Sequence, residues 1–595
     1  MTFNTRQCNA MGPTERNENG TTYNDSWLDK ITTPLNSCSL ETFPPISSID
    51  AEGKATETTK QLIVVPLVIG CYQLNEPSSS AALSTEKDDD EKADGINAKE
   101  IEDGGSGIVG DGGGLNERKS SRSGELRLFM VPAPAATSTE SESSIKFGEP
   151  SCVVEMESGV LDGKWRRRFV RSGEYNEVSG GEEFGALDCD NNHAGNNQST
   201  PIFASACASG RIHIHSLTAA NTTESNDSSS SPSKAWHLSH ISSSEEPPSV
   251  EDGTGSSPLC LSLAWNDHHH HLDMEISKNN SSAFTNSENN NPFIDQIVSS
   301  YSNGTVALHE VSCIQSVNNF DETEVSTGSI INNHTSGNLT IRETHRWKAH
   351  TMFGCPSEVW TCSFLRGSEN VVMSGADDVR RFFNDIILFA SHEKWNDSDS
   401  HNKTHITHYS PLPFYIYVQC SLKIWDIRQT QRPTHKIGDT EFEAGVTAIS
   451  SHPALSHVFA VGSYDEYVRV YDHRKMDMPL WKMGVGGGVW RIKWHPLCWD
   501  TTNTSTKGYY GKMLVAAMHG GCRVLDFEEL NSWSEKKTCD DKRGDDEVKV
   551  LSKFTAHESM AYGSDWLWFG QSTIESVASC SFYDRQAFLW DPYNG

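Results

Sequence analysis

The sequence predicts an all-β fold, one short sheet unit repeated about seven times, and three observations predict it. The clearest copy is V-G-S-Y-D-E-Y-V-R-V-Y-D at Val461–Asp472, two period-two runs around a tight segment. Val468, Val470 and Ala460 point one way, and Arg469 and Tyr467 the other, as on half-buried strands. Gly462-Ser463-Tyr464-Asp465 reads as the hairpin turn, because Asp tolerates unusual backbone angles and bonds its own chain two residues on. The second observation is recurrence: Asp465 precedes Tyr471-Asp472, and Asp584 precedes Trp590-Asp591 at the same spacing in S-F-Y-D-R-Q-A-F-L-W-D. The third is a copy that appears only after a cut, where S-G-A-D-D ending at Asp378 joins C-S-L-K-I-W-D from Cys420.

Weaker copies follow around Asn303, Ser209 and His519, and Ile69–Leu74 joined to Glu125–Val131 brings the count to about seven. Strand, turn, strand and aromatic-Asp resemble the WD repeat, so the pattern implies a seven-bladed WD-repeat β-propeller. Trp27 onward offers a strand that returns to close the ring, since an open sheet would expose an edge.

The chain has 595 residues, only 36% of them hydrophobic, and a mean hydropathy of −0.53, so much of it lies outside any core. The polar, Asn/Thr-rich residues 1–25 read as a disordered tail and 26–595 as the propeller, with insertions at about 75–124, 222–256 and 379–419. The last differs in texture: it starts at Val379, ends P-L-P-F-Y-I-Y-V-Q at Gln419, and fits an intron read through in frame at a hairpin tip, where extra length costs least. It is read as a retained intron rather than a working loop. A net charge of −31 argues against nucleic acid or an anionic membrane as partner, each of which needs a basic patch. No apolar run approaches the roughly 20 residues of a membrane span, and no signal pattern opens the chain, so a cytosolic monomer is expected. Fifteen cysteines without paired spacing read as reduced thiols. His268–His271 lacks a fixed ligand geometry, so no metal and no cofactor are expected.

In order along the chain, Ser158–Trp165 opens the second blade and Leu259–Trp265 the third. Arg346–His350 with Ser357–Phe364 opens the fourth, and Ala556–Trp566 the seventh. Asp378, Asp465 and Asp584 read as structural turn carboxylates that bond a His and the blade's aromatic residue. His350 and His557 are the partners, and His495 before Pro496 is scaffold.

The set G-S-Y-D-E, G-G-V-W-R-I-K-W-H-P (Gly487–Pro496), A-A-M-H-G-G, Y-G-S-D-W and C-S-F-Y-D is more specific than the aromatic-Asp pairs. It resembles the WD-repeat family of the diphthamide pathway, called diphthine methyltransferase and assigned as diphthine methyl ester hydrolase. The resemblance implies hydrolysis of a methyl ester on an over-methylated, modified histidine of translation elongation factor two, its partner. That chemistry asks for a nucleophile, a base and donors for a tetrahedral oxyanion. No G-x-S-x-G elbow or H-E-x-x-H motif supplies them. Glu358, Trp360, Trp490, Arg491, Tyr562 and Asp565 fall near the starts of innermost strands, and the aromatic members of that set also suit plain core filling. The expected site is His519 as base, standing where the repeat has Asp, with Asp565 orienting it and Tyr562 or Arg491 as oxyanion donors. A rival is a non-catalytic propeller that docks proteins on its rim. A methyl-donor-dependent transferase would need a Gly-rich strand-to-helix turn, which is not visible.

Overall fold

The computed structural model describes residues 27–44, 46–48, 62–74, 122–134, 145–166, 187–188, 201–220, 235–249, 257–266, 294–314, 338–352, 355–376, 420–438, 441–499, 504–533, 548–569 and 575–593. The expected tail 1–25, the segment 379–419, His268–His271 and Asp378 lie outside them.

Seven sheets form the blades: six are antiparallel and four-stranded, and the first has the same four antiparallel strands within a six-stranded sheet, extended by Ile46–Ser48 and by Leu187–Asp188, which pairs with it in parallel. Blade 1 runs outward from Asn36–Thr42 through Leu62–Leu74 and Arg122–Pro132 to Cys152–Met156. The inner strands of blades 2 to 7 are Val160–Trp165, Cys260–Trp265, Val359–Phe364, Val446–Ser451, Arg491–Trp494 and Ala561–Trp568. Every inner strand packs on the next, and that of blade 7 packs on that of blade 1, so the ring is closed. Closure is completed at the edge: Asp29–Thr32 pairs with Gln586–Trp590, in register Lys30 to Phe588 and Ile31 to Ala587. One blade therefore takes its outer strand from the start of the chain and its other three from the end.

Two-sided burial explains why the blades need each other. In blade 5, Ala460, Val468 and Val470 pack on Ile492, Met513 and Val515 of blade 6. The alternate positions Phe459, Val461 and Tyr471 pack on Met373, Leu422 and Ile424 of blade 4. Each buried side chain of this kind contributes roughly 1.5–3 kcal/mol. Lengthening a connecting loop costs only about 0.6 kcal/mol per doubling, so long insertions are tolerated where they leave a paired hairpin. Leu74 pairs with Arg122, and Ala376 pairs with Ser421, so the strands that flank 75–121 and 377–420 are paired as hairpins.

Several boundaries differ from the sequence reading. Arg346–Lys348 belongs to the outer strand of blade 3 (Asn338–Lys348), not to blade 4. The stretch read as the insertion 222–256 contains Ala235–Ser243, the outer strand of blade 2. Gly462 and Ser463 continue their strand, and the turn is Tyr464–Glu466, with Glu466 at φ 70°.

The expected bond from a turn Asp to His and aromatic is replaced by a serine bridge. In blade 4, Ser374 Oγ lies 2.8 Å from His350 Nε2 and accepts the Trp425 indole N–H at 2.9 Å. In blade 7, Ser579 Oγ lies 2.8 Å from His557 Nε2 and accepts from Trp590 at 3.1 Å. Asp584 instead accepts the backbone N–H groups of Gln586 and Glu558. Blade 5 has Val461 at the serine position and Tyr471 at the Trp position, by register with the other blades. With no such bridge, Asp465 takes a bidentate pair from the fully buried Arg469, at 3.0 and 2.7 Å.

Several buried histidines are held neutral. Burial pushes His452 down to about 3, against a bond with the Tyr510 carbonyl that favours its charged form. Burial likewise lowers His309 to about 4. An unfolded His titrates near ~6.5, so this contribution to stability is complete above that pH and is lost as pH falls toward the folded value. Between pH 7 and pH 5 the natural chain should lose about 2 kcal/mol more stability than His452→Asn. Urea unfolding at both pH values measures it, and equal losses would contradict a neutral buried ring.

Candidate active site

Inner strands alternate, so every second side chain of Val160–Trp165 and Arg491–Trp494 reaches the central channel. Polar residues occupy those positions, and they meet as a chain of ion pairs across four blades. Glu41 binds Lys164 Nζ at 2.6 Å and Lys493 Nζ at 2.5 Å. Asp162 receives Lys164 at 3.0 Å and Arg491 at 3.2 Å, and Lys493 also reaches Asp565 at 3.3 Å. Ser262 donates to Asp162 at 2.9 Å, and Asp565 accepts the backbone N–H of Thr42 at 3.0 Å. Burial alone would raise the Asp162 carboxyl, but the Arg491 and Lys164 charges overcome it and hold the group far below the usual carboxylate range. Burial opposes the Lys164 charge, and Asp162 and Glu41 more than restore it. Glu41, Asp162, Lys164, Ser262, Arg491 and Lys493, with Thr361 and Thr447, line a cavity of about 180 Å3 in the channel.

Above this layer the channel mouth is aromatic. Trp490 lies 4.8 Å from Tyr562, 5.7 Å from Trp360 and 6.1 Å from Tyr464 between ring centroids. Tyr562 continues to Phe582 at 5.4 Å, and Phe582 to the exposed Tyr583 at 4.9 Å. Blades 4, 5, 6 and 7 thus each contribute a ring to one rim.

His519 sits on that rim, exposed, in the turn that follows Lys512–Ala516. It occupies the place of Asp465, but the turn differs: positive φ falls on Met518 at 44° and Gly521 at 74°, on either side of the histidine, where the Asp465 turn has it on Glu466. Asp465 is folded back onto the N–H of Tyr467, whereas the His519 side chain makes no such bond. A backbone bridge joins Met518 to Ala561, with Ala561 N–H donating to Met518 O at 3.0 Å. His519 and Tyr562 are therefore each one residue from the same bridge.

Of the four residues expected at the site, the structure gathers His519 and Tyr562 on the rim and puts Arg491 directly below Trp490. Asp565 does not join them. It lies three residues further along the inner strand than Tyr562, about 10 Å deeper at strand spacing. Its oxygens are committed to Thr42, Trp566 and Lys493, so it does not orient His519. Tyr562 is half-buried, and burial together with the neighbouring Tyr583 raises its phenol, so it stays a protonated donor at neutral pH. Its hydroxyl has no hydrogen bond among the described residues.

Sequence reasoning missed Glu41, Asp162, Lys164 and Lys493. A signal existed: G-K-W at Lys164-Trp165 and I-K-W at Lys493-Trp494 place the same Lys-Trp pair at matching positions of two inner strands. Glu358 and Trp360, by contrast, fall where expected, at the start of the blade 4 inner strand.

No protein-family model matches the chain. It is 27% identical over 313 residues to the diphthine methyltransferase homolog of Dictyostelium discoideum, covering 50% of this chain and 60% of that protein. It is 35% identical over 138 residues to the diphthine methyltransferase of Homo sapiens, covering 23% of this chain and 26% of that protein. Against that of Schizosaccharomyces pombe it is 26% identical over 257 residues, covering 42% and 53%. The matched part thus spans 60% or less of each of these relatives. Over these stretches the chain is similar to the diphthine methyltransferases, and its fold is a seven-bladed propeller.

Lys493 answers two carboxylates, so its removal tests the channel network. Lys493→Met should cost about 3–5 kcal/mol in urea unfolding, because it strips a buried partner from Glu41 and Asp565. Adding Glu41→Gln should recover part of that loss. A single-variant loss under about 1 kcal/mol would show the pairs to be solvent-screened.

Proposed function

We propose that this homologue of the diphthine methyltransferases hydrolyses the methyl ester of diphthine methyl ester on translation elongation factor two, giving diphthine and methanol late in diphthamide biosynthesis. The relatives' names supply diphthine alone; the methyl ester and the elongation factor rest on the resemblance of the repeat motifs. The single structural observation that supports hydrolysis is a histidine and a phenol, neither hydrogen-bonded among the described residues, flanking one backbone bridge at the mouth of a polar channel.

In this reading the ester carbonyl sits between His519 and Tyr562. A water attacks the carbonyl carbon as His519 takes its proton, and the carbonyl oxygen becomes an oxyanion that accepts the Tyr562 hydroxyl. Arg491, fixed by Asp162, adds positive charge from below. The intermediate then collapses, the C–O bond to the methoxy group breaks, and His519 returns the proton to the departing oxygen as methanol. Asp565 acts at one remove, by holding Lys493 within the channel. The elongation factor is the macromolecular partner, met in the cytosol. No described helix is long and apolar enough to cross a membrane.

A propeller that only docks the elongation factor is the competing reading, since this fold hosts many scaffolds. Incubation of the purified chain with elongation factor carrying the methylated intermediate separates them: the proposal expects methanol and a mass loss of about one methylene per modified histidine, and binding without either supports the scaffold. His519→Gln should lower the rate of methanol release by about 100-fold or more while leaving the thermal midpoint unchanged. An unchanged rate would remove His519 as the base.

A further inference from the structure

At one depth of the channel each blade contributes one inner-strand residue, fixed by strand register, and these residues make two unlike walls. Blades 6, 7, 1 and 2 place Lys493, Asp565, Glu41 and Lys164 there. Blades 3, 4 and 5 place Ala264, Ser363 and Ser450. The charged arc has its two carboxylates in the middle and a lysine at each end, so both ammonium groups border the arc of small side chains. The cavity of about 180 Å3 lies against that small arc, which leaves it room.

Hydrogen-bonding capacity in the cavity is one-sided. Asp162 accepts from Lys164, Arg491, Ser262 and the backbone N–H groups of Gly163 and Leu263, and Glu41 holds a lysine on each oxygen. Each lysine has three N–H groups and meets two carboxylates, so each keeps one donor over. The Thr361 and Ser450 hydroxyls line the same space and bond no described residue. Among the described lining residues, Lys164, Arg366, Arg491 and Lys493 outnumber Glu41 and Asp162, so the wall is net cationic.

We propose that this cavity binds one small oxyanion, held between Lys164 and Lys493 with the Thr361 and Ser450 hydroxyls as further donors. Charge-assisted N–H bonds to anionic oxygen are the strong kind, and two separated ammonium groups suit the several oxygens of a phosphate or a carboxylate. The carboxylates already carry donors on every oxygen, so an added cation would have to displace a lysine. The chain's net charge of −31 opposes an anion at long range, but salt screens that field within about 8 Å, and a pair inside a protein wall is screened far less. The assignment is independent of the hydrolase reading, and it gives the small side chains of blades 3 to 5 a task.

Equilibrium dialysis of the intact chain against labelled inorganic phosphate, and separately against labelled acetate, tests the site at fixed ionic strength in chloride. Saturable binding of about one anion per chain is expected. Binding of phosphate alone assigns the site to tetrahedral oxyanions, and binding of acetate assigns it to carboxylates. Ala264→Leu fills the cavity without removing a charge and should weaken binding at least tenfold. Thr361→Val removes one hydroxyl that no described residue bonds, so the fold is kept, and it should weaken binding about fivefold. A thermal midpoint near that of the natural chain identifies each folded variant. No saturable binding of either anion, or undiminished binding in a folded variant, would overturn the assignment.

Discussion

Pairing of Asp29–Thr32 with Gln586–Trp590 converts a row of sheets into a ring, and most of the remaining structure depends on it. Each blade buries residues on both faces against its two neighbours, so an unpaired end would leave one such face in water. The edge strand of the last blade would also present free N–H and C=O groups. The bond from Leu28 N–H to Leu589 O and that from Thr33 N–H to Arg585 O extend the seam beyond the strand itself. Blade 1 then follows directly through Asn36–Thr42, which brings Glu41 to the axis opposite residues more than 400 positions away.

Closure has an electrostatic counterpart. Glu41 and Asp162 come from the first two blades, Arg491, Lys493 and Asp565 from the last two, and Lys164 links the first set internally. Three acids and three bases alternate so that each charge has an opposite neighbour, which is the condition for burying them at all. The same arrangement fixes Arg491, and Arg491 supports Trp490 from beneath. The rim where His519, Tyr562 and the aromatic rings meet is thereby carried on a rigid floor rather than on isolated loops.

The ring of blades was legible because a period of two and a recurring turn are local signals. They joined the cut hairpin at Asp378 and Cys420, whose strands pair through Ala376 and Ser421, and they found the strand that returns to the last blade. Boundaries slipped where a strand and its turn use the same residue types: Gly462 and Ser463 look like turn residues, yet pair in the sheet with Val446 and Ala448. The serine bridge at Ser374 and Ser579 was hidden, since a small residue inside a strand carries no pattern of its own. The rim position of His519 was legible from its place in the repeat, and that of Tyr562 from its inner strand. Asp565 misled because alternation tells which face a residue is on, not how deep along the channel it lies. Lys493 and Glu41 belong to one contact separated by nearly the whole chain, which no local pattern records.

Everything proposed for the rim assumes that the two ends of the sheet row are joined in solution. Hydrogen exchange read by mass spectrometry, on the natural chain and on Ile31→Pro, tests this most directly, because the substitution removes one N–H from the seam and clamps its backbone. The account predicts that peptides covering 28–33 and 586–590 are protected together in the natural chain, and that the substitution speeds exchange in both and in the inner strands of blades 1 and 7. Rapid exchange of 28–33 in the natural chain, with the other blades protected and indifferent to the substitution, would contradict a ring closed at this seam.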